Sequence, residues 1–93
     1  MHIALLRLSF YLHGCSSLKE KRGRLSGLRD KFGAHKHIAV CEADDQDSWQ
    51  KAKWNFVVIG LEKGMIDSSF NKIIDHCQHQ VDAELIDQQI EWL

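Results

Sequence analysis

With 93 residues, 44% of them hydrophobic and 27% charged, the chain has the composition of one globular domain, 1–93. At that length it carries a single core and buries only a little over ~60% of its unfolded surface. No apolar run approaches the ~20 residues of a membrane-spanning helix, no basic region precedes the first apolar segment, and three cysteines lack the spacing of a disulfide framework. These features exclude a membrane span and a disulfide scaffold and lead us to expect a cytoplasmic protein with reduced thiols and no membrane partner.

Residues 2 to 12 alternate Ala4, Leu6, Leu8, Phe10 and Leu12 against Ile3, Leu5, Arg7, Ser9 and Tyr11, which predicts a long strand with one apolar and one mixed face. A helix is predicted over 18–32. Ser17 is its N-cap and Glu20 the returning member of a capping box, and Gly33 suits the position just past its end. Within this helix Leu18, Leu25, Leu28 and Phe32 project at about 0°, 340°, 280° and 320° on a helical wheel. Lys21, at about 300°, falls inside that apolar stripe. A cation aimed at the core side needs a partner or a route to water.

Residues 36–43 read as a second strand and Asp44 to Trp49 as a polar turn in which Asp47 or Ser48 can cap a short helical turn. A third strand, 53–61, is apolar on both faces in Phe56-Val57-Val58-Ile59 and is expected to be central. A second helix is predicted over 65–80, with Ile66, Phe70, Ile73, Ile74 and Cys77 on one side, and a last strand over 83–92.

The order β-α-β-β-α-β predicts a ferredoxin-like α+β fold. It consists of a four-stranded antiparallel sheet in spatial order 4-1-3-2, with both helices on one face. The open face then carries Ile3, Leu5, Arg7 and Tyr11, together with either Trp54, Phe56 and Val58 or Asn55, Val57 and Ile59. Such a face is too apolar to stay bare. No basic-aromatic signature of RNA-recognition modules is present, so Ile3, Leu5 and Tyr11 are expected to form a homodimer face rather than a base-stacking platform.

The net charge of −1 hides a bipolar chain. Residues 1–36 hold eight Lys/Arg against two acids, a balance of +6, and residues 37–93 hold four against eleven, a balance of −7. Six of the eight early basic residues lie on the first helix, the ordinary pattern of a solvated helix face and also a footprint that suits a phosphate-bearing partner or a protein contact. Ile38, Val40 and Glu42 share a strand face, which makes Glu42 the expected partner of Lys21 at the core edge.

No metal or cofactor is predicted, because His35-x-His37 and His76-x-x-His79 do not form a recognised ligand pattern. Gly60-Leu-Glu-Lys-Gly64 is a turn without the Gly-Lys-Ser/Thr end of a phosphate loop, and no nucleophile elbow or cysteine-base pair is present. The expectation is a protein without enzymatic activity.

Ser17-Leu18-Lys19-Glu20-Lys21-Arg22, the strand ending Val40-Cys41-Glu42, and Asp47-Ser48-Trp49-Gln50-Lys51-Ala52 together resemble the YlxP-like family, a bacterial domain of unknown function. The likeness covers nearly the whole chain. It implies a ferredoxin-like fold, a frequent dimer, and genes that neighbour those of translation-initiation and ribosome-maturation factors. Lys19, Lys21, Arg22, Glu42, Asp47 and Trp49 are the positions carried over. The chain departs from the family pattern in Lys36-His37-Ile38-Ala39-Val40-Cys41 before the retained Glu42, and in the acidic Asp44-Asp45-Gln46-Asp47. That acidic turn repels RNA, so phosphate contacts would come from Lys19, Lys21, Arg22 and Arg29 of the first helix. The expected function is an accessory factor bound to RNA or a ribosomal particle; the alternative is a homodimeric protein-interaction module. Trp49 suits either a cover for the end of the core or a stacking surface.

Overall fold

The alternation at the start of the chain resolves into strand β1 (His2–Tyr11), with Ala4, Leu6, Leu8 and Phe10 fully buried. A computed structural model describes residues 1–93 and continues with α1 (Leu18–Phe32), β2 (Ile38–Glu42), β3 (Lys51–Gly60), α2 (Lys63–His79) and β4 (Glu84–Trp92). The fold is ferredoxin-like. Its four strands pair antiparallel in the order β2-β3-β1-β4 beneath the two helices. One cluster of 17 buried residues forms the core, drawn from both helices, β1, β3 and the β1–α1 connection, and it includes Phe10, Phe56 and Phe70.

Element ends differ from the predicted ones for local reasons. β2 begins at Ile38 because its N–H is turned back onto the His35 carbonyl. β3 begins two residues earlier than predicted because its pairing with β1 runs on to Tyr11↔Lys51. Gly14 takes φ +68 in the β1–α1 connection, the left-handed conformation that glycine adopts without steric cost. Gly33 ends α1 in the ordinary helical region, φ −68, so its value lies in its missing side chain: a Cβ there would meet the Arg29 carbonyl oxygen at 2.5 Å. The capping box forms with a one-residue offset. The Glu20 N–H donates to Ser17 Oγ at 3.0 Å, but the Glu20 carboxylate accepts from the Ser16 N–H at 2.7 Å.

The pairing registers settle which side of β3 meets the helices. Trp54, Phe56 and Val58 are buried beneath them, and Asn55, Val57 and Ile59 lie on the open face. There Ile3 stands opposite Ile59 and Leu5 opposite Val57, forming an apolar end. Arg7 and Ser9 separate this end from Tyr11, which packs edge-on against the His13 ring at 4.5 Å. Tyr11 is thus not continuous with Ile3 and Leu5, as the predicted dimer face required; about 20 Å of strand lies between Leu5 and Tyr11.

The helical layer is narrower than the sheet. Ile90 and Trp92 of β4, opposite Leu6 and Ala4 and hence on the helix side, are 49% and 40% exposed. Leu61, just before α2, and Met65 in its first turn are exposed apolar side chains as well.

Candidate functional site

The groove between α1 and the β2 edge is built around Lys21. Its side chain is 3% exposed and its Nζ lies 3.8 Å from Glu42 Oε2, the partner expected from strand parity. Its hydrogen bonds go elsewhere, to the carbonyl oxygens of Asp45 at 2.7 Å and Ser48 at 2.8 Å. Burying an ammonium is costly unless its three donors are met. Two backbone carbonyls take two of these donors, the Glu42 carboxylate offsets the charge from 3.8 Å, and together they fasten the 43–50 turn to the helix. Lys21 is therefore not offered to a partner, unlike the cation expected from the sequence. Asp45 accepts the lysine in the left-handed region, φ +65, a conformation that Asp tolerates better than most residues. The predicted short helical turn is absent: the segment closes with the Ser48 N–H on the Asp45 carbonyl, and Ser48 Oγ accepts from the Lys51 N–H.

Around this clamp lies a cavity of about 510 Å³. Its helix wall is Leu18, Arg22, Leu25, Ser26, Arg29 and Asp30, and its opposite wall Glu42, Gln46 and Asp47, with Trp54 between them. The Arg29 guanidinium sits 5.6 Å from the centre of the Trp54 ring. Trp54 is 5% exposed, and its indole N–H is buried with no hydrogen-bond partner.

Five sequence-predicted residues meet in this groove: Lys21, Arg22, Arg29, Glu42 and Asp47. Lys19 is exposed on α1 outside it. Trp49 is 47% exposed and covers no core, so the tryptophan of the groove is Trp54. Neither Trp54 nor the Ser26, Asp30 and Gln46 rim was singled out from sequence. The i, i+4 spacing of Arg22, Ser26 and Asp30 could have placed the rim residues on one helix face, whereas the side of β3 that Trp54 takes depends on long-range pairing.

The basic residues of α1 divide by commitment. Arg24 is 17% exposed, pairs with Glu20 and Asp82 at 3.5 Å each, and donates to the His13 carbonyl at 3.0 Å. No ion pair uses Lys19, Arg22 or Arg29. The Glu20 carboxyl lies below the usual carboxylate range, chiefly because it accepts the Ser16 N–H.

The histidines and cysteines are dispersed. His76 packs edge-on against Phe32 at 5.4 Å, and its pKa is lowered, first by partial burial and then by the Lys31 charge. Burial pushes the Cys77 thiol up to about 12, whereas Cys41 is exposed. No three His, Cys, Asp or Glu side chains are grouped to hold a metal ion. No helix is long and apolar enough to cross a membrane.

No protein of curated function matches the chain. Among solved structures, a protein assigned as a chlorite dismutase aligns with TM-score 0.57 and 11% identity over 99% of this chain. The aligned chain spans less than half, 44%, of that protein, and the likeness is one of fold. A de novo designed protein, Ferredog-Diesel, aligns with TM-score 0.47 and 9% identity over 96% of this chain and 83% of its own. An amidase of the hydantoinase/carbamoylase family from Burkholderia phymatum aligns with TM-score 0.48 and 12% identity over 99% of this chain and 28% of its own. Residues 3–90 match the DUF503 family, described as a protein of unknown function, and the chain belongs to that family.

Proposed function

We propose that the protein is an accessory RNA- or ribosome-associated factor that contacts phosphates through one flank of α1. The observation that carries this reading is the division of the helix's cations. Arg24 and Lys21 are consumed by internal contacts; of the four cations left without an ion pair, Lys19, Arg22 and Arg29 project at about 100°, 40° and 20° on one side, and Lys31 lies apart near 220°. Phosphate contacts release counterions, so affinity falls with salt in proportion to their number. Anisotropy titrations against structured RNA over a salt series test this. Lys19→Ala, Arg22→Ala and Arg29→Ala should each weaken binding to many RNAs alike and lower the salt slope by about one contact or less, while Lys31→Ala, near 220°, leaves it unchanged. Equal losses for all four would reduce the effect to net charge, and no loss for any would remove the RNA reading.

The apolar end of the open sheet favours a second reading, a homodimeric protein-interaction module. Ile3, Leu5, Val57 and Ile59 lie together there on two neighbouring strands. Binding through that face would have a shallow salt dependence.

A further inference from the structure

The α1 groove carries charges of both signs, which tells against a simple phosphate trough. Arg22 and Arg29 line the helix wall beside Asp30, and Glu42 and Asp47 line the other, where Lys21 lies 3.8 Å from Glu42. A ligand carrying only phosphates would be drawn to Arg22 and Arg29 and repelled by Asp30, Glu42 and Asp47, so its occupant must bring hydrogen-bond donors as well as an anion. A cavity of about 510 Å³ lies in the range that holds a small molecule.

Ionised carboxylates only accept hydrogen bonds. Among the four RNA bases, guanine alone presents two adjacent donors, N1–H and the N2 amine, on its Watson–Crick edge. Adenine and cytosine set one amine beside an acceptor nitrogen, and uracil sets one N–H between two carbonyls. A wall of carboxylates therefore discriminates for guanine. The wall is also held in place: Lys21 Nζ lies 3.8 Å from Glu42 and is hydrogen-bonded to the turn that carries Gln46 and Asp47. Between the walls the buried Trp54 indole N–H has no partner, an unmet donor of a kind that native proteins seldom leave without a reason. Arg29 is stationed over that ring and makes no ion pair.

We infer that the groove is a guanine-nucleotide site, with the phosphate on Arg22 and Arg29 and the base edge donating to Asp47 and Glu42. The inference deepens the RNA reading and rests on it: the nucleotide is an unpaired guanosine of an RNA strand, and a free guanosine monophosphate shares the same chemistry. Calorimetric titration of the intact protein with GMP, AMP, CMP, UMP and inorganic phosphate at low salt tests it. GMP should bind about tenfold or more tightly than the other nucleotides. Arg22→Gln with Arg29→Gln should weaken all nucleotides, and Asp47→Asn should bring GMP down to the level of the rest. Unchanged urea midpoints would certify that these exposed positions leave the fold intact. Equal affinity for the four nucleotides, or no heat at about 10 mM ligand, overturns the guanine site. If RNA binding keeps its salt slope in that case, the RNA reading survives alone. GMP selectivity without affinity for any RNA, single-stranded guanosine-rich oligonucleotides included, leaves a free-nucleotide site and removes the RNA reading.

Discussion

The two edges of the sheet finish in opposite ways. On the β2 side a buried lysine, two carbonyl oxygens and a carboxylate draw the 43–50 turn against α1 and leave a polar groove above Trp54. On the β4 side the sheet runs past α2, and Ile90 and Trp92 stay about half open to water, with Lys63 reaching over the Trp92 ring at 5.7 Å. Hydrogen-bonded closure specifies a shape, because each donor has a direction. Apolar overhang specifies only that something should cover it.

The comparison breaks most visibly at Lys21. Lys21→Met should lower stability by about 1–3 kcal/mol, because the turn loses its anchor and Glu42 its cation, while Lys19→Met should stay within about 0.5 kcal/mol. Urea titrations of the two variants give the contrast, and hydrogen exchange should rise across residues 43–50 in the first alone. Adding Glu42→Gln to Lys21→Met should recover part of the loss. Coincident midpoints for the two single variants would mean that the clamp holds nothing.

Charge on the apolar surfaces sharpens the other half. If the open face joins two copies, Leu5→Glu should dissociate them with little change in monomer stability, whereas Ile90→Glu on the β4 overhang should leave the mass unchanged. Light scattering reads both, and the reverse result would move the interface to the overhang.

Smaller effects come from α1 itself. Gly23 and Gly27 sit mid-helix, and an added Cβ would meet nothing within 4 Å. Gly23→Ala and Gly27→Ala should each stabilise by about 0.5–1 kcal/mol in thermal unfolding. Gly33→Ala, where the Cβ would meet backbone, should destabilise.

The ionisable groups under the helices add a pH dependence. The folded pKa of His76 is lowered, so its contribution to stability is present above about 6.5 and declines as pH falls below that value, where the unfolded chain takes up a proton more readily. His76→Gln should flatten the acid side of the stability profile between pH 7 and 5. Cys77 is raised to about 12, so the stability it contributes is complete below about 9 and lost as pH climbs toward 12. In the folded protein at pH 8, iodoacetamide should modify Cys41 and spare Cys77; equal labelling rates by mass spectrometry would contradict that burial.

Much of this architecture was legible in one dimension. Period-two alternation in residues 2–11, helical spacing of Leu18, Leu25, Leu28 and Phe32, and the Ser17 cap are local signals, and they sufficed for the element order and the sheet topology. The inward position of Lys21 was equally legible, since 100° per residue is a property of the helix alone. Its carbonyl partners were not, because a backbone oxygen carries no side-chain label and its direction depends on how the 43–50 turn closes. β3 was apolar on both faces, so sequence left two parities open, and only pairing with β1 and β2 put Trp54 in the groove and Val57 on the open face. Likewise six cations of similar chemistry on α1 were sorted only when the Asp45 and Ser48 carbonyls met Lys21 and Asp82, distant in sequence, came within 3.5 Å of Arg24, while Arg22 and Arg29 were left facing the groove. Local periodicity determined which elements form and which sides they bury. Long-range pairing decided which charges remain free to bind, because that depends on neighbours brought together only by the folded chain.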